Sequence, residues 1–176
     1  RGLGDVYKRQ AEKVSNYLVE VYMNTRSYDA ALKSIDRIAK PSAQILEAKQ
    51  KILFQLGTQS FANADFEQAL KYLNQSIAIG QYNRQTKADA YYWCGESYYR
   101  LNRMVEAARD FNAYLQLTTQ PNNEMYALAN YNLGYIAFHR KDYTQASNYF
   151  QKYIQLEKGE NTTALADACL LYTSPS

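Results

Sequence analysis

The 176-residue sequence predicts an all-α protein, an α-solenoid of stacked antiparallel helix pairs. Three observations predict it. Ala31, Ala69, Ala107 and Ala146 recur at separations of 38, 38 and 39 residues. Three further features keep the same register: Tyr28, Phe66, Met104 and Tyr143 before each alanine, Ile35, Leu73, Phe111 and Phe150 after it, and Val19, Gly57, Gly95 and Gly134 well upstream. Within each period, apolar residues return at steps of three and four, as in Leu18–Tyr22 and Tyr91–Cys94–Tyr98, which is helical spacing.

Each period breaks once at a short polar turn, "NTRS", "ANAD", "LNR" or "HRKD", so each holds two helices. The first pair is predicted at 12–25 and 28–40, stopped by Pro41. The second spans 43–62 and 66–79 and ends at Gly80. The third spans 85–101 and 104–118, before Pro121, and the fourth 124–140 and 143–157, before Gly159. A fifth leading helix is expected to start near Asn161. The glycines let a leading helix lie close to its partner, the alanines do the same from the second helix, and the Tyr28-type residues fill the wedge between them. Each hairpin alone leaves an apolar face open, so neighbours must stack to cover it.

The ends read differently. One DNA string encodes Gly2–Gln10 on one strand and Cys169–Ser176 on the other. Residues 1–10 and 169–176 are therefore expected to be adapter-derived, leaving a repeat-domain fragment at 11–168. Its units are expected at about 12–49, 50–87, 88–126 and 127–160, with a truncated fifth at 161–168. The net charge of +3 falls to +1 once Arg1, Asp5, Lys8 and Arg9 are set aside, so charge gives no argument for nucleic acid or a membrane surface. Without Cys169, Cys94 stands alone: it suits neither a disulfide framework nor a metal cluster, and reads as an inert buried thiol. No apolar run approaches the roughly 20 residues of a membrane helix.

Tyr91-x2-Cys94-Gly95-x2-Tyr98 followed by Ala107-x3-Phe111 resembles the tetratricopeptide repeat, whose signature is W-x2-L-G-x2-Y and then A-x3-F. Asn130-x2-Leu133-Gly134-x2-Ala137 with Ala146-x3-Phe150, and Leu53-x2-Leu56-Gly57 with Ala69-x3-Leu73, follow the same pattern; the unit around Leu18, Val19 and Tyr22 is degenerate. The period exceeds the family's 34 residues, and the closing proline is displaced to Pro121. Extended repeats of this kind are similar to those of bacterial cell-envelope proteins. The resemblance implies a superhelix whose leading helices line a concave ligand groove.

With each glycine taken as the eighth position of its unit, about 100° per residue splits each leading helix into two stripes. Tyr91, Cys94 and Tyr98 fall on the packing stripe. The groove stripe takes Phe54 and Phe61, then Tyr92, Trp93, Glu96, Tyr99 and Arg100, then Tyr131, Asn132, Tyr135, Phe138 and His139. Aromatic rings with a polar tip are favoured interface anchors. The competing reading makes these rings internal packing, Glu96 and Arg100 an ordinary exposed i,i+4 pair, and His139 a solvated helix end.

These residues point to a non-catalytic scaffold that grips a protein or peptide segment. The alternative is a sensory or regulatory module whose groove holds another segment of its own chain. A single His139, one Cys94, no phosphate loop and no spaced metal ligands give chemistry no carrier, so neither enzyme activity nor a cofactor is expected. Nucleic acid is not expected as a partner, and self-association through uncapped end units is.

Overall fold

A computed structural model describes residues 2–119 and 124–157. Among them are eight α-helices: α1 Gly2–Asn24, α2 Tyr28–Asp36, α3 Ala43–Ala62, α4 Phe66–Ala78, α5 Arg84–Arg100, α6 Met104–Leu117, α7 Glu124–His139 and α8 Tyr143–Leu156. A 3₁₀ turn, Gly80–Tyr82, precedes α5. The architecture is all-α, and most helix ends fall within a residue of the periodicity's forecast. Two ends differ. Helix α1 starts at Gly2, through residues set aside on sequence grounds, because extending a nucleated helix costs little. Helix α2 stops at Asp36, where Ile38 N turns back to Ile35 O in a tighter closing bond, short of the forecast end before Pro41. The forecast fifth helix, Pro121 and Gly159 lie outside the described residues.

The chain forms two compact units, residues 1–90 and 91–176, with the boundary inside α5. In the first, α1 packs on α2, α2 on α3, and α3 on α4. A Cβ placed on Gly57 would lie 2.5 Å from Leu73 Cγ, so α3 and α4 touch where the small residue permits it. Val19 occupies the equivalent place in α1 and is buried in a core with Tyr28, Ala31 and Ile35. Gln50, fully buried on α3, donates its side-chain Nε2 to the carbonyl of Asn83 at 2.8 Å, and its backbone carbonyl accepts from Ser76 Oγ at 2.8 Å. That side chain ties α3 to the segment leading into α5.

In the second unit the same device recurs. A Cβ on Gly95 would meet Phe111 Cδ1 at 2.8 Å, and one on Gly134 would meet Phe150 Cδ1 at 2.7 Å. Phe111, Phe150, Tyr114 and Tyr153 are fully buried. All four repeat alanines are sealed from solvent. The wedge position is less uniform: Tyr28 is buried, whereas Tyr143, the first residue of α8, is 41% exposed and meets Phe138 edge-on.

The hairpins share one detail that helical periodicity does not mark. Arg26, Ala64, Asn102 and Lys141 all take positive φ, between 56° and 63°, at the repeat spacing. Each sits in a helix-ending turn in which the next residue's N–H reaches back, as Asp65 N to Ser60 O and Arg103 N to Tyr98 O, both within 2.9 Å. Glycine is the usual occupant of this left-handed position. Asp65 and Asp142 then cap α4 and α8 by accepting from Gln68 N and Gln145 N.

Candidate recognition face on α5 and α7

The forecast stripe resolves into three environments. In the first unit, Phe54 and Phe61 on α3 are half-buried, and Phe61 meets Phe66 edge-on at 5.2 Å. In the second unit, Trp93, Glu96, Tyr99, Tyr131, Asn132, Tyr135 and Phe138 are half-buried, and Arg100 and His139 are exposed.

Tyr92 corrects the forecast. It is only 3% exposed, with its ring edge-on to Phe111 at 5.7 Å and to Tyr114 at 5.4 Å. Its place on the helical wheel lies at the border of the two stripes, and α6 reaches over it. Tyr92 is a core residue, and Trp93 packs edge-on against it at 5.2 Å. Tyr91, assigned to the packing stripe, is only half-buried, whereas Cys94 and Tyr98 are buried as that stripe requires. Burial, with the Asp110 carboxylate adding to it, pushes the Cys94 thiol far above the ordinary range, which removes it as a nucleophile.

Glu96 is the polar centre of the face. One oxygen, Oε1, accepts from the Tyr92 hydroxyl at 3.0 Å and from Asn132 Nδ2 at 2.7 Å, linking α5 to α7. Sequence spacing pointed to Arg100 as its partner; the Asn132 bond, 36 positions away in sequence, had no local signal. Burial raises the Tyr99 hydroxyl above its usual range, and nearby Tyr135, Tyr131 and Glu96 add to this against the opposing charge of Arg100. Tyr99 is thus a neutral donor at ordinary pH.

On α7 the rings are held from behind. Tyr131 lies 5.3 Å from buried Tyr153 and 6.1 Å from buried Phe150, and Tyr135 lies 6.3 Å from Tyr131 and 4.5 Å from the His139 ring. Beside this row an open pocket of about 470 Å³ is lined by Tyr99, Tyr135 and His139. Asn102, Met104, Ile136 and Arg140 complete it, and the stripe did not name them. Asn102 and Arg140 belong to turns, where helical periodicity carries no information, and Met104 was assigned to the wedge. A general signal existed, since the last turn of a striped helix brings its following turn to the same place.

Among the described residues there is no group of three or more His, Cys, Asp or Glu side chains placed to hold a metal ion, and no helix long and apolar enough to cross a membrane.

Two tetratricopeptide-repeat family models match, over residues 54–124 and 127–159. No curated protein matches the chain. Solved structures do. The MamA protein is 19% identical with a TM-score of 0.61, the match covering 92% of this chain and 80% of that one. BtubC (BKLC) from P. vanneervenii is 13% identical with a TM-score of 0.62, covering 88% and 67%. YrrB, described as a TPR protein with an unusual peptide-binding site, is 20% identical with a TM-score of 0.57, covering 91% and 75%. At these identities the likeness concerns the fold. Matched across more than half its length by those repeat models, with Gly57, Gly95 and Gly134 set against Leu73, Phe111 and Phe150 of the same signatures, the chain belongs to the tetratricopeptide repeat family.

Proposed function

We propose that this chain is a non-catalytic protein-interaction scaffold, and that the α5–α7 face of its second unit takes a segment of a partner protein. The observation that carries the reading is the row of half-exposed rings, Tyr131, Tyr135 and Tyr99: Tyr131 and Tyr135 pack on the core around Phe150 and Tyr153, and Tyr135 and Tyr99 border an open pocket. A ring already fixed from behind loses little conformational freedom on contact, so its burial yields more net affinity than that of a mobile side chain. Phe54, Phe61 and Trp93 offer further half-buried aromatic surface, and Phe138 flanks His139 at 5.9 Å. Peptide recognition, which YrrB's description records for that protein, supports the reading by fold analogy.

The test is selection of linear peptides from a random display library against the whole chain, followed by titration of the strongest. Tyr99→Ser combined with Tyr135→Ser is expected to weaken binding by at least tenfold while helical content stays constant. Undiminished binding by the double variant refutes the assignment of this face.

A further inference from the structure

The pocket at the end of the aromatic row has a chemistry of its own. Of its lining residues, Arg140 is a full cation, none is acidic, and Asn102, Tyr99 and Tyr135 carry polar hydrogens. Arg140 is exposed, directly after the last residue of α7, and Lys141 beside it is exposed as well. The acid on this face, Glu96, already accepts two hydrogen bonds through one oxygen and is absent from the lining. Both α5 and α7 terminate beside the pocket, so their ends present carbonyl groups there, with a partial charge of about −0.5 per helix against the full charge of arginine. Backbone N–H groups, which capture chain-terminal carboxylates in nests, are not what a helix C-terminus offers. The donors are side chains, and the aromatic row runs on past them: Tyr131, Tyr135 and His139 are four residues apart, spanning about 12 Å of helix.

We propose that this pocket receives an aspartate or glutamate side chain from within the partner segment, placed beside an apolar anchor that lies on Tyr99 and Tyr135. The inference deepens the proposed function and rests on it. The partner is thereby an acidic–aromatic or acidic–aliphatic stretch. A neutral Tyr99 hydroxyl suits this role, since it donates to a carboxylate that a phenolate would repel.

The probe is the set of linear peptides selected against the whole chain from a library displayed away from its free C-terminus, then synthesised with amidated ends. Enrichment of Asp or Glu next to an aromatic or aliphatic residue is expected. Arg140→Glu, and separately Arg140→Gln with its milder charge change, should weaken the selected peptide by at least fivefold and about threefold. Replacing the peptide's acid by lysine should restore binding to Arg140→Glu. Circular dichroism checks that both variants stay helical, as expected for an exposed turn residue. Selected peptides that are neutral or basic, or indifferent to both Arg140 variants yet lost with Tyr99→Ser/Tyr135→Ser, overturn the acidic pocket and leave the aromatic face standing. Binding only by peptides with a free terminal carboxylate overturns the side-chain assignment. Indifference to the arginine and tyrosine changes alike, or no selected peptide at all, overturns both.

Discussion

Replacing Gly57 by alanine tests the contact on which the repeat packing depends, because two effects pull in opposite directions there. Alanine is favoured over glycine inside a helix by about 0.8–1.0 kcal/mol, so propensity alone predicts a more stable protein. The added Cβ, however, would sit 2.5 Å from Leu73 Cγ and 2.7 Å from Cδ2, well inside the roughly 3.5–4.0 Å of carbon contact. Leu73 is fully buried, so it cannot give way by turning into solvent. Overpacking of this kind costs about 1–3 kcal/mol, and the depth of overlap places it in the upper part of that range. The net expectation for Gly57→Ala is a loss of about 1–2 kcal/mol. Leu73→Ala alone should cost about 2–5 kcal/mol as a buried large-to-small change. In that background the clashing atoms are gone, the nearest remaining neighbour of the new Cβ is Ala69 O at 3.4 Å, and Gly57→Ala should stabilise by about 1 kcal/mol. The double-mutant cycle thus gives a favourable coupling of about 2–3 kcal/mol. Urea unfolding of the four proteins, followed by circular dichroism at 222 nm, reads it directly. Stabilisation by Gly57→Ala with Leu73 intact, or simple additivity, refutes the claim that the helices touch at this glycine.

Three further outcomes follow from single sites. Ala64→Gly relieves a left-handed backbone, φ 59°, and should raise stability by about 0.5–1 kcal/mol in the same urea assay; a loss would mean that the turn carries no strain. Asp110 is 2% exposed, Oδ1 pairs with Arg109 Nε at 3.0 Å, and Oδ2 has no hydrogen-bond partner; burial outweighs Arg109 and raises its carboxyl above the usual range. A raised acid favours the fold below its unfolded pKa, near 3.9, and that advantage is lost as pH climbs through the folded value. Asp110→Asn should therefore increase the melting temperature at pH 7 but not at pH 3, and an equal shift at both would assign the effect to packing. Tyr92→Phe removes only the hydroxyl bond to Glu96 and should cost about 0.5–1.5 kcal/mol, whereas Tyr92→Ser empties a core site and should cost about 3–5 kcal/mol; equal mild losses would return Tyr92 to the surface.

The fold was legible because it is written in small residues as well as large ones. Gly57, Gly95 and Gly134 fall twelve places before Ala69, Ala107 and Ala146, a register that only paired helices in close contact require, and each glycine meets the Leu73, Phe111 or Phe150 that the same register singles out. The proposed recognition face is legible in part. Helical periodicity separates two stripes of a cylinder but says nothing about how far a neighbouring helix reaches, so it puts Tyr92 outside although Phe111 and Tyr114 cover it. Asn102 and Arg140 carry no such signal for another reason: they line the pocket where turns meet the ends of α5 and α7, and a turn has no period. The left-handed position shared by Arg26, Ala64, Asn102 and Lys141 has no mark in the sequence, because none of the four is the glycine that usually occupies it.

Amide chemical-shift mapping of the uniformly ¹⁵N-labelled chain with a selected, end-blocked peptide tests the recognition face most directly. The proposed site predicts that the largest shifts cluster at Tyr99, Asn102, Tyr135, His139 and Arg140 and vanish in Tyr99→Ser/Tyr135→Ser. Shifts confined to Asn112, Gln145 and Tyr149, on α6 and α8, would contradict it.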